Sequence, residues 1–266
     1  MKEHLIKGIQ KKMTRMVEVS NQCSSPKQAI DDLTQLLFNM TTMPAFYKRI
    51  SCKAKVYRTD SIYQPLERYR NDPLGWELLN ELVDDYLEIV EAQPPFTDVM
   101  HLIGYSSKPW SKALGQFLTP PTVAQALIRL STLGLDEQLA NGKHLLVGDN
   151  AGSGGGSLLL AFLCEVHTLH PTKTHQAHLF AVDIDYRMVM MTAVQIVLSS
   201  VIHRIPIGSL KVHHCNGLTD YNDDTYEYSN LSYVYYSDIK NLEEKNKQNL
   251  DKEININDYH LSETLI

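Results

Sequence analysis

The segment that most restricts the fold of this chain is Asp149-Asn150-Ala151-Gly152-Ser153-Gly154-Gly155-Gly156, which directly follows the apolar run His144-Leu145-Leu146-Val147-Gly148. A short apolar run, a glycine-rich turn and a helical pattern from Leu158 to Val166 make a strand–turn–helix unit. Glycines let a backbone approach a ligand closely and turn sharply into the helix. The first N–H groups of that helix have no intrahelical partner and face whatever sits at the turn. No Gly-Lys-Ser/Thr follows, which argues against a phosphate-binding P-loop. One strand–helix unit later, Leu179-Phe180-Ala181-Val182 ends in Asp183, with Asp185 close behind. A carboxylate there can accept hydrogen bonds from the two ribose hydroxyls of a nucleoside cofactor. Turn and acid together suit NAD or S-adenosylmethionine.

Around this unit the pattern alternates. Leu210 to His213 and Leu231 to Tyr236 read as third and fourth strands, and Tyr186 to about Val201 as a helix between the second and third. Strands alternating with helices predict an α/β fold, a parallel sheet with helices on both faces. Residues 1–93 read as a helical N-terminal region, with helices on Leu5 to Val17, after Ser25-Pro26 and after Asp72-Pro73. Gln93-Pro94-Pro95 ends the last of these. Residues 94–240 form the sheet-bearing domain. Residues 241–266 are a polar tail, rich in Lys, Glu, Asn and Asp.

The 266 residues carry a net charge of -6, so composition gives no support to binding a phosphate backbone. A modest cluster of Lys48, Arg49, Lys53, Lys55 and Arg58, interleaved with Phe46, Tyr47 and Tyr57, is the candidate nucleic-acid surface, against the simpler reading of a solvated face. Cys23, Cys52, Cys164 and Cys215 form no C-x-x-C pair, and no second ligand pair accompanies His213-His214-Cys215. Reduced, buried thiols and no metal site are expected. Met1-Lys2-Glu3-His4 opens a charged amphipathic segment rather than a signal peptide, and no apolar run is long enough for a bilayer. A cytoplasmic protein without membrane contact is expected.

Upstream of the turn, Gly115-Gln116-Phe117-Leu118-Thr119-Pro120-Pro121 closely resembles the Gly-Gln-Phe-x-Thr-Pro motif of N6-adenine DNA methyltransferases, including type I modification subunits. Pro94-Pro95-Phe96-Thr97-Asp98 resembles the lead-in to that motif in phage and plasmid methylases. Asp149 to Gly156 is similar to the family's Asp-Pro-x-x-Gly-Ser-Gly-Gly loop, with Asn150 in place of its proline, and Cys215-Asn216-Gly217-Leu218 resembles its Gly-Asn/Asp-x-Leu segment. The likeness spans about residues 94 to 220. It implies a Rossmann-like methyltransferase fold and S-adenosylmethionine as cofactor. Thr119 and Pro120 would meet its methionine end, Asp149, Gly152 and Gly154 the loop side, Asp183 the ribose and Asn216 the adenine.

The family's Asn-Pro-Pro-Phe/Tyr motif is not intact. That motif accepts the N–H bonds of a poorly nucleophilic exocyclic amine and stacks an aromatic ring on the flipped base. After the fourth strand stands Ser237-Asp238-Ile239-Lys240, where Asp238 is a weak candidate acceptor. Asn230-Leu231-Ser232-Tyr233 keeps the first and last residue types without the prolines, making Asn230 and Tyr233 the other weak candidates. The family sheet continues beyond a fourth strand and this chain does not, so the fourth strand is expected as an edge. The tail, the N-terminal region, a protein partner or a second copy would cover it. Three functions follow: a methyltransferase-like binding or regulatory subunit in DNA modification, restriction or mobile-element biology; an active or split N6-adenine DNA methyltransferase; or an acidic interaction module without cofactor.

Overall fold

The computed structural model describes residues 2–49, 54–59, 62–104, 118–150, 152–219 and 232–236. The chain opens with helices α1 (Lys2–Val19), α2 (Pro26–Thr41) and the short α3 (Pro44–Arg49), then strand β1 (Lys55–Arg58), and then helix α4 (Pro73–Ala92). The expected caps form. Ser25 Oγ accepts a hydrogen bond from Gln28 N at 3.2 Å, and Asp72 Oδ1 accepts one from Gly75 N at 3.0 Å. Each serves an amide that the first helical turn leaves without a partner.

The remaining elements are α5 (Val99–Leu102), α6 (Pro121–Ser131), α7 (Leu135–Ala140), β2 (Leu145–Asp149), α8 (Ser157–Leu169), β3 (Ala177–Asp183), α9 (Tyr186–Ile202), β4 (Ser209–His214) and β5 (Ser232–Tyr236). The fold is mixed α/β. One sheet runs in the order β1-β5-β4-β3-β2. β2, β3 and β4 are parallel, with Val147 opposite Leu179 and Leu179 opposite Leu210. β5 is antiparallel to β4, and β1 is antiparallel to β5.

Helix α9 is the centre of the molecule. Every residue from Met188 to Val201 is buried. A helix buried on all sides has no polar face to show solvent, and this one has none because β3 and β4 lie on one side and α2 and α4 on the other. Ile30, Leu33, Leu37, Leu79, Leu82 and Ile89 join the α9 side chains in one apolar cluster. Burying a side chain of this size stabilises the fold by roughly 1.5–3 kcal/mol.

Three features differ from expectation. First, α8 and α9 cover a single sheet face, that of Leu145, Val147, Leu179, Ala181, Leu210 and Val212. On the other face Leu146 is 83% exposed and Phe180 and Lys211 are half-buried, whereas Val182 and His213 are buried. The cause is topological. The order β2, β3, β4 steps in one direction, and successive right-handed crossovers in one direction place their helices on one face. Second, β5 is an inner strand. The chain returns antiparallel against β4, and of the expected covers it is the N-terminal region that pairs with its far side, through β1. Third, among the described residues the sheet ends in β1 on one side and in β2 on the other. Near β2 in sequence, Val123, Leu127 and Leu130 of α6 and the following Leu133 are exposed.

Within the basic cluster, Tyr47 and Arg58 are buried. The Tyr47 hydroxyl donates to Thr41 O at 2.5 Å, and the Arg58 guanidinium lies 4.7 Å from the centre of the Tyr63 ring. Neither is presented as part of an exposed nucleic-acid surface, and Lys53 lies outside the described residues. Cys23 is buried and Cys164 and Cys215 are half-buried, all as free thiols, while Cys52 lies outside the described residues. No described helix is long and apolar enough to cross a membrane.

Candidate functional site

Parallel strands bring Asp149, Asp183 and His214 to one end of the sheet. There the chain leaves β2 through a turn in which Gly152, Gly154 and Gly156 have φ of 116°, 54° and 84°. These left-handed values are costly for residues with a Cβ. At Gly156 a Cβ would also press on Thr192 at 3.1 Å. The turn is stitched to β3: Ser153 N donates to Val182 O at 2.9 Å, and Gly154 N donates to Asp183 Oδ2 at 2.8 Å.

Asp183 thus sits where the sequence predicts, at the end of β3 beside the glycine-rich turn. Its second oxygen, Oδ1, accepts from Asp185 N at 2.8 Å. Burial pushes its carboxyl above the ordinary range, against the pull of these two amides. Asp149 is also raised, first by burial and then by the nearby Asp183. Two carboxylates crowding one site favour a ligand that donates hydrogen bonds over one that brings negative charge.

Thr119, Asp149, Gly152 and Gly154 line one cavity of about 50 Å³, together with Leu118 and Ser153. Four sequence-predicted residues from two separate segments are therefore brought together. The Ser153 hydroxyl on its wall is buried and has no hydrogen-bond partner. A buried, unsatisfied donor is uncommon and points to a missing polar group, such as a water or a ligand. Pro120 is not on this wall; it is exposed and forms the N-cap of α6. Asn216 is not on it either. Its Oδ1 accepts from Leu218 N at 3.0 Å in a tight turn. Tyr233 lies in β5, with its backbone opposite Val212 and Arg58. That is three strand spacings from β2, about 14 Å. Asn230, Asp238 and the Gly115-Gln116-Phe117 half of the motif lie outside the described residues. Among the described residues no group of His, Cys, Asp and Glu is placed to hold a metal ion.

The donors and acceptors fit a nucleoside cofactor in kind. The space does not fit one in this closed arrangement, since pockets for such ligands run to roughly 300–1,000 Å³. Two contacts draw the chain together around this turn. Asp183 spends both oxygens on backbone amides, and Gly217 packs directly on the backbone oxygen of Asn150. A Cβ on Gly217 would fall well inside contact distance of that oxygen. Gly217→Ala is thus expected to force the two segments apart and cost about 1–3 kcal/mol of stability. A thermal midpoint equal to that of the wild type would show that the two segments do not pack in solution.

Four residues that matter here carry no role in the sequence reading of the site. Thr192, Gln195 and Ser199 of α9 and Asp98 before α5 hold the turn and its neighbour segment. Their sequence signal is a polar line in a largely apolar helix, and an acid two residues after Phe96 in the Pro-Pro-Phe-Thr-Asp run. A larger groove of about 600 Å³ lies between α2 and α4, walled by Met40, Met43, Trp76 and Val83. Its amides are already used, Asn39 donating to Gln64 O at 2.9 Å and Asn80 to Trp76 O at 2.7 Å. The convergent polar groups are at the glycine-rich turn instead. No family model matches the chain, and neither a curated protein nor a solved structure matches it.

Proposed function

We propose that this chain is an S-adenosylmethionine-binding protein with a Rossmann-like fold, related to N6-adenine DNA methyltransferases. In this reading it acts as a binding or regulatory subunit in DNA modification, restriction or mobile-element biology. The observation that carries the reading is the meeting of Thr119, Asp149, Gly152 and Gly154 at one cavity, with Asp183 bonded to the same turn at 2.8 Å. In this reading Asp183 takes the ribose hydroxyls and the turn takes the loop side of the ligand. Thr119 and Pro120 lie toward the methionine end and Asn216 toward the adenine. The cofactor would supply a methyl group on sulfonium. No residue is assigned to its transfer, because Asp238 and Asn230 lie outside the described residues and Tyr233 is on a distant strand.

Among the described residues β2 pairs on one side only, and this terminal strand with its exposed Leu146 supports a protein partner or second copy that completes the sheet, and with it the split-enzyme alternative. The small cavity supports the other alternative, an interaction module without cofactor. Calorimetric titration of the chain with S-adenosylmethionine separates these. Saturable binding at micromolar to low-millimolar ligand is expected, with the site opening as ligand enters. Absence of heat at millimolar ligand removes the cofactor reading and leaves the interaction module. Transfer of labelled methyl to adenine-containing DNA by the chain alone would instead establish an active enzyme.

A further inference from the structure

Within the largely apolar helix α9, Thr192, Gln195 and Ser199 are spaced so that they fall on one face. All three are buried, and all three are bonded. Thr192 Oγ1 donates to Gly154 O at 3.0 Å, and Gln195 Nε2 donates to Gly155 O at 2.8 Å. On its other side Gln195 Oε1 accepts from Met100 N at 3.0 Å, and Ser199 Oγ accepts from Phe96 N at 2.6 Å. One amide therefore joins the glycine-rich turn to the segment that leads into α5. That segment needs a tether. Phe96 has φ of 59°, a left-handed conformation disfavoured for a bulky residue and held only where surroundings enforce it. The segment also returns to the turn through Asp98, which accepts from Ser157 Oγ at 2.6 Å at the start of α8.

We infer that Gln195 is the positioning residue of the glycine-rich site: it couples the turn to the 96–102 segment, so the turn keeps its ligand-binding shape only while that segment is seated on α9. The inference deepens the cofactor reading and rests on it for the ligand. A glutamine is suited to the task because it donates and accepts at once from one rigid plane. Whatever pulls the 96–102 segment from α9 then also lowers affinity at the turn, although the segment does not line the cavity.

The test uses the full chain as wild type, Gln195→Met and Gln195→Glu. Two readouts are taken, titration with S-adenosylmethionine and amide hydrogen exchange. In Gln195→Met, about a tenfold loss of affinity is expected from the lost hydrogen bond. Exchange should rise together at Gly154–Ser157 and at Phe96–Leu102. Gln195→Glu supplies a readout that mere packing would not move. Its carboxylate cannot donate to Gly155 O, but the neutral acid donates and accepts as the amide does. Its affinity relative to wild type should therefore recover as pH falls. Wild-type affinity in Gln195→Met, exchange rising in one segment alone, or a Gln195→Glu deficit unchanged with pH would each overturn the inference. Should the wild type bind no S-adenosylmethionine, the cofactor reading fails separately, and the paired exchange still decides the coupling.

Discussion

Asp183→Ala is expected to weaken S-adenosylmethionine binding by about 100-fold or more and to lower the thermal midpoint as well. The affinity figure assumes that the carboxylate accepts two charge-assisted hydrogen bonds from the ligand, each contributing roughly 1.5–3 kcal/mol. The stability loss has a separate origin. Asp183 is 5% exposed and receives Gly154 N and Asp185 N at 2.8 Å each. Alanine leaves both amides without that acceptor, at a cost of about 1–3 kcal/mol apiece unless water enters. Asp183→Asn keeps one acceptor oxygen and turns an NH2 toward the other amide, so it should fall between wild type and alanine in both measurements. The two readouts guard each other. Loss of binding with an unchanged midpoint would make Asp183 a pure ligand group. An unchanged affinity in the alanine variant, with saturable wild-type binding, would mean that Asp183 only shapes the turn and the ribose lies elsewhere.

That double duty of Asp183 marks where sequence reasoning stops. The strand–turn–helix unit at Leu145 to Leu169 is legible because its signals are local: an apolar run, glycines at the turn and an apolar helix after it. Ser25 and Asp72 are legible as caps for the same reason, since each bonds an amide only three residues away. The order of β2, β3 and β4 also follows from alternation with helices. The place of β5 does not. Its partners, Val212 on one side and Arg58 on the other, are distant in sequence, and nothing near Ser232–Tyr236 specifies them. β1 is four residues long in a region of helices, too short for periodicity to reveal. At the site, residue types indicate that Asp183 and Gly154 are neighbours. They do not indicate that the carboxylate is occupied by the turn's own amide, or that Gln195, forty residues beyond Gly155, holds that turn. Asn216 is a different case. Its motif position suggests a ligand contact, and nothing in the sequence shows that its side-chain oxygen also closes a local turn with Leu218 N.

The N-terminal helices reach the same site through charge, and this gives a second large expected effect. Arg187, at the start of α9, holds Asp185 through two bonds, Nε to Oδ1 at 2.9 Å and an NH2 group to Oδ2 at 2.5 Å. Its remaining nitrogen lies 3.6 Å from Asp31 Oδ2 on α2. Asp31 Oδ1 is buried without a hydrogen-bond partner. Burial pushes the Asp31 carboxyl up to about 6; Asp185 adds to this, while Arg187 and Lys27 pull it down. The folded state thus prefers the protonated acid more than the unfolded chain does. Its stabilisation is complete below the ordinary value of 3.8 and is lost as pH rises through about 6. The shift corresponds to about 3 kcal/mol at most, and to about 2 once the side chain's partial exposure to solvent is allowed for. Asp31→Asn mimics the protonated form at every pH. Its stability relative to wild type, from urea unfolding, should therefore climb by that amount between pH 4 and pH 8, while other titrating groups such as Asp149 and Asp183 cancel in the comparison. A difference that stays flat with pH would mean that Asp31 keeps an ordinary carboxylate, fully paired with Arg187 in solution. A rising difference means that Asp31, at the contact between α2 and the start of α9, destabilises the fold as it ionises on passing about pH 6.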